Sequence, residues 1–324
     1  MNDQFSVAFV TIDEAHAGQR VDNFLTTLLK GVPKSHLYRI VRSGEVRVNK
    51  GRVEVSHRLA FGDQVRIPPI KVAARPALEL SSTAGAAGKT RLPVLFEDEA
   101  LIALDKPAGL AVHGGSGVSF GVIEALRLQR PEARFLELVH RLDRETSGVL
   151  LVAKKRSCLT AMHTLLRGEE GSKGIEKHYW VLVRGAWPDE RRHVRLRLRK
   201  FLTATGERRV AVDEAEGQEA HSFFTRVERF KQGTLLDCHL HTGRTHQIRV
   251  HLAHLGFPIV GDDKYGDFSL NKQVQANRNG GLKRMFLHAR SLRFQHPLTG
   301  EPLLIESPLP ADLQAFVGFL RAQQ

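Results

Sequence analysis

Residues 137–155, Glu-Leu-Val-His-Arg-Leu-Asp-Arg-Glu-Thr-Ser-Gly-Val-Leu-Leu-Val-Ala-Lys-Lys, set a charged segment, His140–Gly148, between two short apolar runs. Short apolar runs bounded by polar turns read as buried strands. A polar loop pinned between two such strands holds its side chains on a rigid support, where catalytic groups are often found. Asp143 stands inside this loop, between Arg141 and Arg144. An ionised carboxylate there can attack an electrophilic carbon or stabilise positive charge on a sugar. From composition alone, the same residues also suit an exposed hairpin loop with surface ion pairs.

Outward from the loop, strand texture recurs in PVLF (93–96), LIALD (101–105), LELVH (136–140), VLLVAKK (149–155), HYWVLVRG (178–185), TLLDCHL (234–240) and HQIRVHL (246–252). From Leu92 onward, helical stretches are fewer: Val122–Leu128, Leu159–Arg167 and Asp312–Arg321, the last with Leu313, Phe316, Val317 and Leu320 on one face. Strands and helices do not alternate as a doubly wound fold requires, so an α+β domain on a mixed, largely antiparallel sheet is expected.

The 324 residues include 48 Lys and Arg against 35 Asp and Glu, a net charge of +13, which points to a polyanionic partner. With 42% hydrophobic and 26% charged residues the chain is not expected to be disordered, and no apolar run nears the roughly 18 residues a membrane span needs. The first residues, MNDQFSVAFVTIDEAHAG, show no basic stretch leading into an apolar one. The two cysteines, Cys158 and Cys238, share no Cys-x-x-Cys motif. A cytoplasmic protein without a disulfide framework is expected.

The charge is uneven. Residues 18–71 hold eleven Lys and Arg and four Asp and Glu, so seven of the thirteen net positive charges fall in about one sixth of the chain. Val21, Phe24, Leu25, Leu28 and Leu29 follow one helical face, ended by Gly31. Leu37, Ile40 and Val41 form a second stripe between Pro33 and Gly44, with Lys34, Arg39 and Arg42 off it. Val46 and Val48, then Gln64–Ile67, read as strands. Residues 18–71 are therefore expected to be an ααβ module with a basic outer face, 72–91 a linker, and 92–324 a second domain. Within the linker, Gly88-Lys89-Thr90 looks like the end of a phosphate-binding loop, but Thr83 stands where such a loop needs its first glycine.

Other candidate chemistry follows the Asp143 loop. Leu240–His251, LHTGRTHQIRVH, reads as a turn feeding a strand, with Ile248 and Val250 alternating inward. Arg244 and Arg249 can grip a carboxylate or phosphate, and Thr242, Thr245 and Gln247 can hydrogen-bond a base or backbone. His239, His241, His246, His251 and His254 lack metal-ligand spacing, so no metal is expected. Tyr179, one of three tyrosines, lies in a strand, where packing is its usual role. The Gly-rich run His113–Gly121 has Phe120 in place of a dinucleotide loop's third glycine. Along VRLRLRK (194–200), Arg195, Arg197 and Arg199 share a strand face that suits phosphates or solvent.

In order along the chain, HRLDRETSG (140–148), EKHYWVLV (176–183) and TGRTHQIRVH (242–251) resemble the nucleophile, tyrosine and basic motifs of the RluA-type family of pseudouridine synthases. GQRVDNFL, VPKSHLYRIVRSGEVRVN and GDQVRIPP, within residues 18–71, resemble an S4 RNA-binding domain. The resemblance implies Asp143 as the catalytic aspartate and Arg249 as its basic partner. It implies Tyr179 as the tyrosine that stacks on the target base and is thought to remove its C5 proton. Arg141 is similar to the arginine that occupies the space left by the flipped base. Arg244 and Gln247 are implied RNA contacts, joined by Lys34, Arg39 and Arg42 on the basic N-terminal face. AVHGGSGVSFGVIEALR (111–127) and the residues up to Lys155 are similar to members acting on 23S ribosomal RNA. The implied partner is 23S ribosomal RNA or a large-subunit assembly intermediate, with no cofactor, no metal, no obligate protein partner and a monomeric enzyme. RGEEGSKGI (167–175) departs from the family pattern. Alternatives are an inactive RNA-binding or ribosome-assembly factor, a pseudouridine synthase acting on another RNA, and a nucleoside or glycoside hydrolase. The hydrolase would need a second carboxylate, for which Glu145 is nearest.

Overall fold

The computed structural model describes residues 7–29, 31–70, 92–114, 120–168, 174–277 and 281–323. The expected linker, 72–91, lies outside them, as do the middles of the Gly-rich run and of the 167–175 loop. The chain divides into two compact units.

In the N-terminal unit, β1 (Ala8–Thr11), β3 (Gln64–Ile67) and β2 (Arg47–Val48) form an antiparallel sheet in that order. α1 (Val21–Leu28) and α2 (Lys34–Arg42) contribute the expected apolar faces: Val21, Phe24, Leu25, Leu37, Ile40 and Val41 are buried in one core with Val46, Val48 and Val65. Leu28 ends α1 and is exposed. Gly44 follows α2 at φ +76°, a conformation that stops a helix and favours glycine. β1 was not read from the sequence; its residues are mostly exposed, so it shows no alternation.

The second unit is built on one eleven-stranded sheet. Its strands are β4 (Val94–Glu97), β5 (Leu101–Lys106), β6 (Glu137–Leu138), β7 (Ser147–Ala153), β8 (Glu176–Arg184), β9 (Arg191–Leu202), β10 (Arg208–Val212), β11 (Gln218–Arg229), β12 (Gly233–Leu240), β13 (Leu287–Gln295) and β14 (Pro302–Glu306). The order is β10-β9-β11-β12-β8-β13-β7-β5-β4, with β14 on β13 and β6 on β7. Described pairings are antiparallel except β13 with β7, so the sheet is mixed and largely antiparallel. β7 is buried along its whole length, which is why its sequence is a continuous apolar run. The helices are α3 (Val122–Gln129), α4 (Arg156–Arg167), α5 (Gln247–His254), α6 (Phe268–Ala276) and α7 (Ala311–Arg321). α7 buries Leu313, Phe316, Val317 and Leu320 against Leu182, Leu235 and Phe286.

Two expectations are corrected. HQIRVHL forms helix α5 rather than a strand. Its residues from Gln247 to Leu252 are all buried, so no exposed face marks the helical period and the alternation of Ile248 and Val250 misleads. LELVH forms a strand only at Glu137–Leu138; Val139 N still donates to the Leu151 carbonyl (3.0 Å) before the chain enters the loop that carries Asp143.

Gly148 closes that loop at φ +109°, opposite Ala289 in the parallel contact. A Cβ there would lie 2.1 Å from the Ala289 carbonyl oxygen. Gly148→Ala is expected to destabilise the domain by about 2 to 5 kcal/mol, the sum of backbone strain and overpacking; an unchanged urea midpoint would contradict this.

Candidate active site

The Asp143 loop is tied down from below. Lys106, at the end of β5 and fully buried, donates from Nζ to the carbonyls of Pro107 (2.8 Å), Leu110 (2.8 Å) and Arg144 (3.0 Å). Burial pushes its pKa down to about 7, while three carbonyl acceptors suit the three donors of the ammonium. Thr146 N donates to the Asp143 carbonyl (3.1 Å), closing the turn. His140 accepts from Leu151 N at Nε2 (3.1 Å), which fixes a neutral ring. Burial, and then Lys177, push its pKa down to about 4.

Asp143 faces Arg249 of α5, whose Nη1 donates to Oδ2 at 3.2 Å. Arg249 is 4% exposed, and its Nε and Nη2 donate to the two oxygens of buried Asp262, both at 2.7 Å. Nη2 also reaches Asp263 (3.2 Å). Burial opposes the guanidinium charge, but hydrogen bonding and attraction from Asp262, then Asp143, raise its pKa above the ordinary arginine value. Asp262 therefore aims the arginine and leaves Nη1 for Asp143. His246, at φ +53° ahead of α5, places Nε2 3.9 Å from Asp143 Oδ1 and Nδ1 2.9 Å from the Tyr265 hydroxyl. The Tyr265 ring packs against the Arg249 guanidinium, 5.2 Å from the ring centre.

Tyr179, between Cys238 and Ala289 in register, lines the same cleft of about 2040 Å³ as Asp143, Arg141, Arg244 and Arg249. Burial, reinforced by Cys238 and Asp143, pushes its phenol well above the ordinary value, so at neutral pH it is an uncharged ring. Arg141 is exposed at the cleft. Arg244 is exposed as well and donates from Nε to the Glu219 carbonyl (3.1 Å). Gln247 is buried: Nε2 donates to the His221 carbonyl and Ser222 Oγ, and Oε1 accepts from Thr242 Oγ1 and Arg244 N. Its hydrogen-bonding capacity is spent on the turn that carries Arg244. Lys34, Arg39 and Arg42 lie exposed on α2 in the N-terminal unit, where Arg39 and Arg42 line a hollow with Ser35 and Tyr38.

The sequence reading missed Lys106, Asp262, Asp263 and Tyr265, and considered His246 only as a metal ligand. The available signal was Gly261-Asp-Asp-Lys-Tyr-Gly-Asp267, in which two adjacent acids follow the apolar pair Ile259-Val260 across a single glycine. Among the described residues no cluster of three His, Cys, Asp or Glu side chains is arranged to hold a metal.

The buried histidines predict an acid weakness. Burial also pushes His251 down to about 4, and its ring nitrogens have no described partner. With the unfolded value near 6.5, the unfolded chain binds more protons between pH 6.5 and 4, so stability is lost as pH falls through that window. The expected loss between pH 7 and 5 is roughly 2 to 4 kcal/mol by urea denaturation. A flat profile would contradict neutral burial of the two rings.

Residues 100–254 match the family described as RNA pseudouridylate synthase, and residues 19–65 match the S4 domain. The chain is 53% identical over 308 residues to ribosomal large subunit pseudouridine synthase C of Yersinia pestis, covering 95% of this chain and 94% of that protein. It is 51% identical over 316 residues to the protein of the same name from Escherichia coli strain K12, covering 98% and 97%. The fold is similar to that of human RNA pseudouridylate synthase domain containing 4, with a TM-score of 0.56 and 23% identity over 74% of this chain and 96% of that one. Half of the residues are thus shared with pseudouridine synthases along nearly the full length of both chains, and the chain belongs to the RluA-type family of RNA pseudouridine synthases, with an S4 domain at its N-terminal end.

Proposed function

We propose that this enzyme converts specific uridines of 23S ribosomal RNA to pseudouridine, with Asp143 as the reacting carboxylate. The observation that carries the reading is the alignment of Asp143 by Arg249, itself aimed by Asp262, in a cleft shared with Tyr179. The reaction breaks the N1 to C1′ bond, turns the base, joins C5 to C1′, releases the C5 proton and leaves N1 carrying a proton taken up in its place. It involves no net redox change and no group donor. Asp143 either attacks C1′ or stabilises and deprotonates the sugar as the bond breaks. The uridine must leave its stack, which costs a few kcal/mol; the Tyr179 ring and Arg141 offset that cost.

Residues 18–71 supply affinity through Lys34, Arg39 and Arg42, residues 92–324 supply catalysis, and Arg244 holds RNA at the cleft on the turn that Gln247 builds. The enzyme works in the cytoplasm as a monomer, without an obligate protein partner, on ribosomal RNA or an assembly intermediate. Among the described residues no helix is long and apolar enough to cross a membrane.

Tritium release from 23S transcripts labelled at uridine C5 tests the reading. Release matched by pseudouridine is expected. Free uracil as product would favour a hydrolase, and no release would favour an inactive RNA-binding factor.

A further inference from the structure

A row of aromatic rings crosses the catalytic sheet on the face opposite Tyr179. His178 on β8, His239 on β12, Phe223 on β11 and His193 on β9 are successive cross-strand neighbours. His178 and His239 stack at 4.9 Å with planes 6° apart, and Phe223 and His193 at 4.0 Å and 8°. The two pairs meet between His239 and Phe223 at 5.9 Å. Behind them His221 stacks on His241 at 6.0 Å.

Core packing does not explain the row. Phe223 is 38% exposed and His193 is exposed, whereas Ser222 and Phe224 on the other face are buried. β10 pairs with β9 only at Leu198–Leu202, so His193 lies on an edge length of strand. Arg191 and Arg195 flank it on the same face, both exposed. No described hydrogen bond or ion pair engages their side chains, whereas Arg197 is tied to the Gly217 carbonyl and Arg199 to Asp213 and Glu216. The acids on this face, Asp237, Glu219 and Glu176, stand against His178 (3.0 Å), His221 (3.7 Å) and Arg293 (3.8 Å). Partial desolvation by the stacked rings, then His221 and Arg195 at His193 and His178 at His239, hold both below the ordinary imidazole value, so at neutral pH they are uncharged aromatic surfaces.

The row is continuous with the cleft: His239 and His241 line it together with Asp143, as do the strand ends at Glu176 and Leu240. A chain leaving the cleft around those strand ends passes onto the rings. We propose that this face is a second RNA surface, taking unpaired nucleotides that flank the target uridine, with bases stacking at Phe223 and His193 and phosphates meeting Arg191 and Arg195. Such stacking accepts any base, because each has a π-face. The proposal rests on RNA being the substrate and extends that site by the nucleotides outside the cleft.

The test measures binding of a fluorescein-labelled oligouridylate to the full chain, alongside tritium release from 23S transcript. His193→Ala with Phe223→Ala is expected to weaken oligouridylate binding about tenfold and to raise KM for the transcript while leaving kcat within about twofold. Phe223→Trp is expected to keep the affinity and to show indole quenching on binding. Arg195→Glu is expected to weaken binding and flatten its salt dependence; should the double alanine variant not fold, this variant decides. Unchanged affinity in a folded double variant, or in Arg195→Glu, overturns the proposal. So does a wild-type dimer in sedimentation that the double variant dissolves, since the rings would then be a protein interface. Absence of tritium release from the wild type would defeat the substrate reading separately, because oligouridylate binding is read without turnover.

Discussion

Asp143→Asn is expected to abolish pseudouridine formation, with a fall of about 10⁴-fold or more in kcat, while stability and RNA affinity stay near wild type. The amide keeps the size of the carboxylate and retains one oxygen to accept from Arg249 Nη1, a bond of 3.2 Å at a side chain 26% exposed. The backbone of the loop is held by Lys106 and by the Asp143 carbonyl itself, neither of which the substitution touches. What is lost is the negative oxygen that we propose attacks C1′ or takes up the charge of the sugar. The fall therefore belongs in kcat rather than KM, measured by tritium release at saturating transcript. A residual rate within tenfold of wild type would remove Asp143 from the chemistry.

Arg249→Met should lose stability as well as activity. Arg249 and Asp262 are 4% and 0% exposed, and the arginine supplies both side-chain donors that Asp262 receives. Without it, Oδ1 keeps the amides of Lys264 (2.8 Å) and Tyr265 (3.0 Å), and Oδ2 has no described donor. Removing one member of a buried pair costs about 3 to 5 kcal/mol because the other charge stays desolvated. Adding Asp262→Asn should restore part of the stability, since the fully buried charge is removed, and none of the activity, since Asp143 still lacks its partner. Urea denaturation and tritium release on the same three proteins separate the two roles. A single variant as stable as wild type would show that Asp262 does not depend on Arg249.

What the sequence made legible follows from which interactions are local. The loop from His140 to Gly148 could be read because both flanks are short apolar runs, and β7 is buried throughout. The two N-terminal helices could be read because each sets a buried apolar face against a polar one, Asn23, Thr26 and Thr27 on α1 and Lys34, Arg39 and Arg42 on α2. α5 could not, because burial on all sides erased its period. Asp262 carries no local signal of burial; only the fold brings it against an arginine thirteen positions earlier and buries both. Lys106 follows the run LIALD, and its burial depends on carbonyls from two loops, one of them around Arg144. Gln247 was legible as polar and functional in character, but its partners, His221 and Ser222, come from a distant strand.

The most direct test of the central claim is a site-by-site pseudouridine map of 23S ribosomal RNA from cells lacking this protein, complemented with either wild type or Asp143→Asn. The expected result is a discrete set of 23S uridines that lose modification without the protein, regain it with wild type and stay unmodified with Asp143→Asn. A 23S map unaffected by loss of the protein, or full restoration by Asp143→Asn, would contradict it.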